Sequence, residues 1–571
     1  MDPMKKTIGI ILASVVGIIL LGALFIAALS WAIFSPDPLP DQIVLELNLD
    51  RGVIETVPDD PFLLLLERQR LRLRDIVGVL HRAAEDDRVV ALHVTGGNPV
   101  GGWAMAEEIR EAVVHFRASG KPAHFFAETF GEFTPAHGGY YIATAFDEIT
   151  MQPSGELGIS PLSIEAPFFR NALDRLDVIP RFDAREEYKD AVHTFTRDGF
   201  SPESREVYTT LLQSLQDRMV QGMAERGVQD PAARLDGGPY GAPDALELGL
   251  VDRLGYADEA REYLDEQLDD ATRVPVTRYR DRGESAWNRG TRVALVYGIG
   301  PIRRGESGSD WMSTGGLASG TVARHIRRAA EDPTVRAIVF RVDSPGGSYV
   351  ASDQIRREIR RARDNGTPVV VSMGNAAASG GYLISADADR IIAQPQTLTG
   401  SIGVAAGKFV AQELFERYGI TWDRITLGDG EGGFFSAVGD FSEDEWEQLQ
   451  NSLDRIYDEF VTIVADGRGM SWDEVDEVAR GRVWSGEQAL EVGLVDGLGG
   501  FPVALDHVRE LLELEDDAPI RLTVFPGEPN LIQLLLEGPG VSIDGLRAGA
   551  RALMSPTPAP VRMPEFGIPG G

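Results

Sequence analysis

The chain has 571 residues, an apolar share of 43%, a net charge of −33 at pH 7 and no cysteine. Its length accommodates more than one domain. The missing thiols exclude disulfides, thiolate metal sites and a cysteine nucleophile, and the acidic balance excludes a nucleic-acid partner, whose phosphates it would repel.

In chain order, the tail 1–6 carries Lys5 and Lys6, and no charge then occurs from Thr7 to Pro36. Such a run can cross a hydrocarbon core of ~30 Å and exceeds the roughly 7–15 apolar residues of a cleavable signal peptide. It predicts an uncleaved transmembrane helix over 7–34. Basic residues before it and acidic ones after it put the tail in the cytoplasm. In a bacterium the rest of the chain then lies on the periplasmic or extracellular side of the cytoplasmic (inner) membrane.

Beyond the anchor the chain repeats itself. "RAAED" at 82–86 recurs at 328–332, and "ALELGLVDRLG" at 245–255 recurs as "ALEVGLVDGLG" at 489–499. "AHGGYYIATAFDEITMQPSGELG" (136–158) lies over "ASGGYLISADADRIIAQPQTLTG" (378–400) with ten identities in 23 positions. Three blocks in the same order predict a tandem duplication. The boundaries are an N-terminal repeat at 41–280, a linker at 281–291 and a C-terminal repeat at 292–526. A Pro/Gly-rich tail at 536–571 is expected to be disordered.

In the second copy "VALVYGI", "AIVFRV" and "PVVVSM" read as buried strands, and "TVARHIRRAAED" and "SDQIRREIRRARDNG" as helices. This alternation predicts an α/β fold of βαβ units around a mainly parallel sheet. The alanines and glycines around Ser379, in "NAAASGGY", read as a tight turn to which something must come close.

The copies differ where chemistry is expected. Ser379 falls on His137, with the flanking glycines kept, while Lys189 in "YKDAVHTFTRDGF" falls near Phe435. One copy has the serine and the other the lysine. Lysine is rare here, with only Lys5, Lys6, Lys121, Lys189 and Lys408 in the chain. A serine nucleophile needs a base. The second copy's histidines, His325 and His507, sit on predicted helices far from Ser379, and "AASGG" does not fit the G-x-S-x-G elbow. A buried lysine can act as that base once its pKa falls, and Ser401 in "TGSIG" is a candidate partner for it. Gly380 can donate its N–H to an oxyanion, with a second donor from Gly346 or Gly347 in "RVDSPGGSYV". No "HExxH" occurs and the eight histidines lack ligand spacing, so neither a metal nor a cofactor is expected.

Together "DSPGG", "ASGGY…TGSIG" and the upstream "YKDAVHTFTRD" resemble the signal peptide peptidase A family in its long, duplicated form, over nearly the whole chain. That resemblance implies a membrane-anchored bacterial serine endopeptidase with a Ser379/Lys189 dyad. It also implies Ser401 as the lysine's hydrogen-bond partner, and Gly380 with Gly346 or Gly347 as the oxyanion hole. The implied fold is that of the Clp protease/crotonase superfamily, and the implied assembly a homotetramer. The chain departs from the family pattern in placing Asp343, not asparagine, before "SPGG". Apolar peptides such as cleaved signal peptides are the expected substrates, with both dyad members supplied by one chain. Two alternatives are a crotonase-type acyl-thioester enzyme and a non-catalytic membrane assembly protein.

Overall fold

The computed structural model describes residues 38–56, 70–97, 101–268, 271–307, 316–427, 433–525 and 527. The expected anchor at 7–34 and the tail at 536–571 lie outside the described residues. Among the described residues no helix is long and apolar enough to cross a membrane.

Each copy is built on its own sheet. In the first, six parallel strands run in the order Arg253–Leu254, Glu148–Met151, Ala123–Ala127, Val89–Thr95, Ile43–Asn48 and Thr272–Pro275. In the second the order is Val483–Ser485, Leu398–Gly400, Val369–Ala378, Ala337–Ser344, Thr291–Ile299 and Ile520–Val524. Arg390–Ala393 pairs beside this path, and only the contact between Leu398–Gly400 and Val483–Ser485 is antiparallel. The apolar runs "AIVF" and "VVV" are buried along their length, and "VVAL" is buried except for half-buried Val90, as strands covered on both faces must be. The "RAAED" motifs end equivalent helices, Leu73–Glu85 and Ser319–Glu331. In the second of these Val322, Ile326 and Ala329 are buried at a spacing of four and three.

The two sheets share a core. One cluster of buried apolar residues joins Leu73, Ile76 and Phe116 of the first copy to Val293, Val339, Phe501 and Leu505 of the second. The joining segment is packed into this contact, with Trp287 buried and its carbonyl accepting the N–H of Leu522. A buried charge cluster crosses the same boundary. Arg341, fully buried, donates to Glu55 at 2.7 and 3.1 Å, to Glu108 at 2.9 Å and to Ser372 at 2.8 Å. Glu108 also accepts the N–H of Phe501 at 2.6 Å. Desolvating these charges is tolerable because each is paired and hydrogen-bonded. The copies are therefore held in a fixed relation.

One expectation needs correction. The alanines before Ser379 are strand, not turn: Val369–Ala378 runs up to the serine, with Ala376, Ala377 and Ala378 paired to Leu398, Thr399 and Gly400.

Candidate active site

Lys189 reaches the second copy on an arm. Strand Ile179–Arg185 of the first copy leaves its own sheet and pairs antiparallel with Val404–Val410 of the second, Ile179 opposite Val410 and Arg185 opposite Val404. Just beyond the strand, the chain is pinned on both sides of the lysine. Tyr188 donates its N–H to Arg480 O at 3.1 Å, and Asp190 accepts a hydrogen bond from the Tyr208 hydroxyl at 2.7 Å. Tyr208 belongs to the long helix Pro202–Glu225, whose Val207 and Leu211 pack with Val483 of the second copy. Gly481 closes the clamp. It has φ +84°, and a Cβ there would lie within 2.4–2.6 Å of the Lys189 N, Cα and Cβ atoms, so only glycine lets the backbones meet.

The lysine side chain is 6% exposed. Its amine lies 3.0 Å from Ser379 Oγ, 2.9 Å from Ser401 Oγ and 2.8 Å from Ser401 O. Burial pushes the Lys189 amine down to about 8, against a partial upward pull from Asp190. A substantial neutral fraction at mildly alkaline pH can thus take a proton from a hydroxyl in hydrogen-bond range.

Ser379 joins strand to helix at φ +53° and ψ −119°, a conformation costly for a residue with a side chain. Its N–H is held by Gly400 O at 2.8 Å, and its carbonyl accepts from Leu383 N. With its backbone committed, the Oγ is left to face the lysine. The following glycines make room for the neighbouring loop: a Cβ on Gly381 would lie 2.4 Å from Ser344 O, and one on Gly380 would lie 2.7 Å from Ser352 Oγ.

The loop after strand Ala337–Ser344 brings Gly346 (φ +105°) and Gly347 (φ +144°) against Gly380. The sequence left the second donor open between these two. Gly346 spends its N–H on Ser344 Oγ at 3.2 Å. The N–H groups of exposed Gly347 and of Gly380 have no hydrogen-bond acceptor among the described residues. Gly380 and Gly347 are therefore the pair with free donors beside the hydroxyl, and Gly346 shapes the turn.

Other residues singled out by sequence lie elsewhere. His137 accepts from Ser160 N through Nε2, which also lies 2.9 Å from Ser160 O. Burial pushes its pKa down. His325 and His507 sit on helices Ser319–Glu331 and Phe501–Leu511 and make no hydrogen bond to Ser379. Phe435 is 94% exposed. Sequence reasoning did not find Gly481 or Tyr208, because neither lies in a repeated motif and each acts through a contact between copies.

The model of "Peptidase family S49" matches the chain twice, over residues 115–270 and 361–515. "Protease 4" of Salmonella typhi is 31% identical over 509 residues, covering 86% of this chain and 79% of that protein. "Serine protease SPPA, chloroplastic" of Arabidopsis thaliana is 28% identical over 489 residues, 83% of this chain and 70% of its own. "Putative signal peptide peptidase SppA" of Enterococcus faecium is 37% identical over 191 residues, 34% of this chain and 55% of its own. Two family matches fall on the two copies, each built on its own α/β sheet, and the serine of the second copy stands beside a buried amine. The chain is a serine protease and belongs to peptidase family S49.

Proposed function

We propose that this protease is a membrane-anchored endopeptidase for extended, apolar peptides such as cleaved signal peptides, working through a Ser379/Lys189 dyad. The observation that carries the reading is the 3.0 Å separation of Lys189 Nζ and Ser379 Oγ within one chain. Neutral Lys189 accepts the Ser379 proton as Oγ attacks the scissile carbonyl. Ser401 holds the amine in line through two hydrogen bonds. The N–H groups of Gly380 and Gly347 receive the oxyanion. The ammonium then protonates the leaving amine, and water, deprotonated by the same lysine, releases the acyl group. The substrate class is supported by the name of the Enterococcus faecium relative. The Clp protease/crotonase likeness of each copy belongs to the same reading, supported by the helix-flanked parallel sheets.

Cleavage of an apolar peptide by the full chain should be abolished in both Ser379→Ala and Lys189→Ala. Co-expressing the two variants should restore no activity, since both groups come from one chain. Retained cleavage in Ser379→Ala would refute the dyad. A crotonase-type activity would instead leave Ser379 unlabelled by a serine-directed acylating probe.

The uncharged run from Thr7 to Pro36 supports the anchor and an inner-membrane location with the protease copies outside the cytoplasm. Resistance of the full chain to alkaline extraction from membranes is the test. A homo-oligomer, a tetramer by resemblance, completes the reading, and the internal repeat supports it. The repeat counterparts of the paired arm strands are residues 162–168 and 421–427, and neither is in a sheet. Both carry exposed apolar side chains, including Ile164, Trp422, Ile425 and Leu427. Each chain thus has two unpaired segments equivalent to the two halves of the arm pairing, which could meet head-to-tail between chains. Sedimentation of the parent and of Ile425→Lys should give an oligomer and a smaller species respectively.

A further inference from the structure

Three residues before the nucleophile, the ladder between strands Ala337–Ser344 and Val369–Ala378 breaks step. Val342 lies opposite Met373, but Ser344 lies opposite Ala377, so Gly374, Asn375 and Ala376 bulge out against the single residue Asp343. The Asp343 carboxylate fills the bulge, Oδ1 accepting from Ala376 N at 3.0 Å and Oδ2 from Asn375 Nδ2 at 3.1 Å. A Cβ on Gly374 would lie 2.9 Å from Asp343 Cβ, so the fit requires glycine.

The other side of the bulge is tied to the first copy. Helix Trp103–Ala118 starts at Gly102 and has no side-chain cap of its own. Asn375 of the second copy supplies one: its Oδ1 accepts from Met105 N at 3.3 Å and its Nδ2 donates to Gly101 O at 2.8 Å. Its amide orientation is thereby fixed, with the NH2 group toward Asp343. Gly102, at φ +103°, leaves no room for a Cβ, which would lie 2.1 Å from Asn375 Oδ1.

Bulges re-aim the side chains that follow them, and this one lies between the two elements that deliver Ser379 and the Gly346–Gly347 loop. We infer that Asp343 and Asn375 are positioning residues for peptide hydrolysis, locking the bulge that aims Ser379 at the lysine and sets the oxyanion loop beside it. The first copy then supports the site at a second point besides Lys189. This inference rests on the Ser379/Lys189 reading.

The test uses the full chain and an apolar peptide substrate, comparing Asp343→Asn, Asn375→Asp and the double variant. Asp343→Asn sets its NH2 against one of two donors, Ala376 N–H or the Asn375 NH2, and Asn375→Asp opposes two carboxylates. The double variant restores a donor–acceptor pair. Each single change should lower kcat by about tenfold or more, with KM nearly unchanged, because misplacement acts on the reacting atoms. The double variant should recover at least half of the logarithmic loss of the worse single. If Asn375→Asp lowers the thermal midpoint by more than a few degrees, Asn375→Ala replaces it, with the same loss in kcat expected. Single variants at parental kcat would overturn the inference, as would a double variant whose loss is the product of the two single losses. Ser379→Ala measured alongside separates the two claims: an inactive Ser379→Ala with fully active Asp343→Asn and Asn375→Asp sinks only the positioning role, while an active Ser379→Ala sinks the dyad itself.

Discussion

Replacing Lys189 by methionine tests stability and catalysis through one ionisation. The lysine amine falls from 10.5 to about 8 on folding because burial penalises its charge. The folded pKa lies below the unfolded one, so between these two values the unfolded chain binds the proton more tightly. Below pH 8 the native state bears the full penalty, and the penalty fades as pH rises toward 10.5. At 1.36 kcal/mol per unit it amounts to about 3 kcal/mol at pH 7 and falls below about 1 kcal/mol at pH 10. Methionine carries no proton to lose, and the hydrogen bonds it forfeits to Ser379 and Ser401 contribute an offset that does not vary with pH. Denaturant unfolding of parent and Lys189→Met from pH 7 to 10 should therefore show the parent gaining about 2–3 kcal/mol relative to the variant. Over the same range kcat/KM of the parent should rise about tenfold between pH 7 and 9, as the neutral amine becomes the major form. The variant should not cleave peptide at any pH. A stability difference that stays flat across this range, or a kinetic limb centred near the ordinary lysine value, would refute the reasoning.

Ser401→Ala removes the hydroxyl 2.9 Å from the amine, and kcat should fall about tenfold with KM held, since a hydrogen bond to a chargeable group is lost behind the substrate site. Gly481→Ala forces a methyl into the Lys189 backbone; a displacement of about 1 Å should cost on the order of 100-fold in kcat, read by peptide cleavage. Arg341→Met leaves Glu55 and Glu108 buried without their counter-charge. It should destabilise the fold by roughly 3–5 kcal/mol at neutral pH, measured by unfolding.

The duplication and the alternation of strand and helix were legible because both copies retain their buried runs and turn glycines. The pairing of Lys189 with Ser379 was suggested by the reciprocal divergence of the copies, while their roles, and Ser401 as the lysine's partner, came from the resemblance to the signal peptide peptidase A family. What could not be read are contacts made only when backbones converge. Gly481 in "RGRVW" carries no local signal of touching a lysine nearly 300 positions earlier. "NAAA" reads as a turn because nothing local reveals the strand Leu398–Gly400 alongside. The choice between Gly346 and Gly347 turned on the Ser344 hydroxyl claiming one N–H, a detail of loop geometry beneath the resolution of any motif.

On the proposed dyad, the arm that carries the lysine also fixes when the site can be assembled. The amine and the hydroxyl are 190 residues apart in the chain, and the strand that receives the arm, Val404–Val410, is translated after both. A ribosome that has released only the first copy has made a base without a nucleophile. Until the later strand emerges and receives the arm, the growing polypeptide holds the two halves of that site apart.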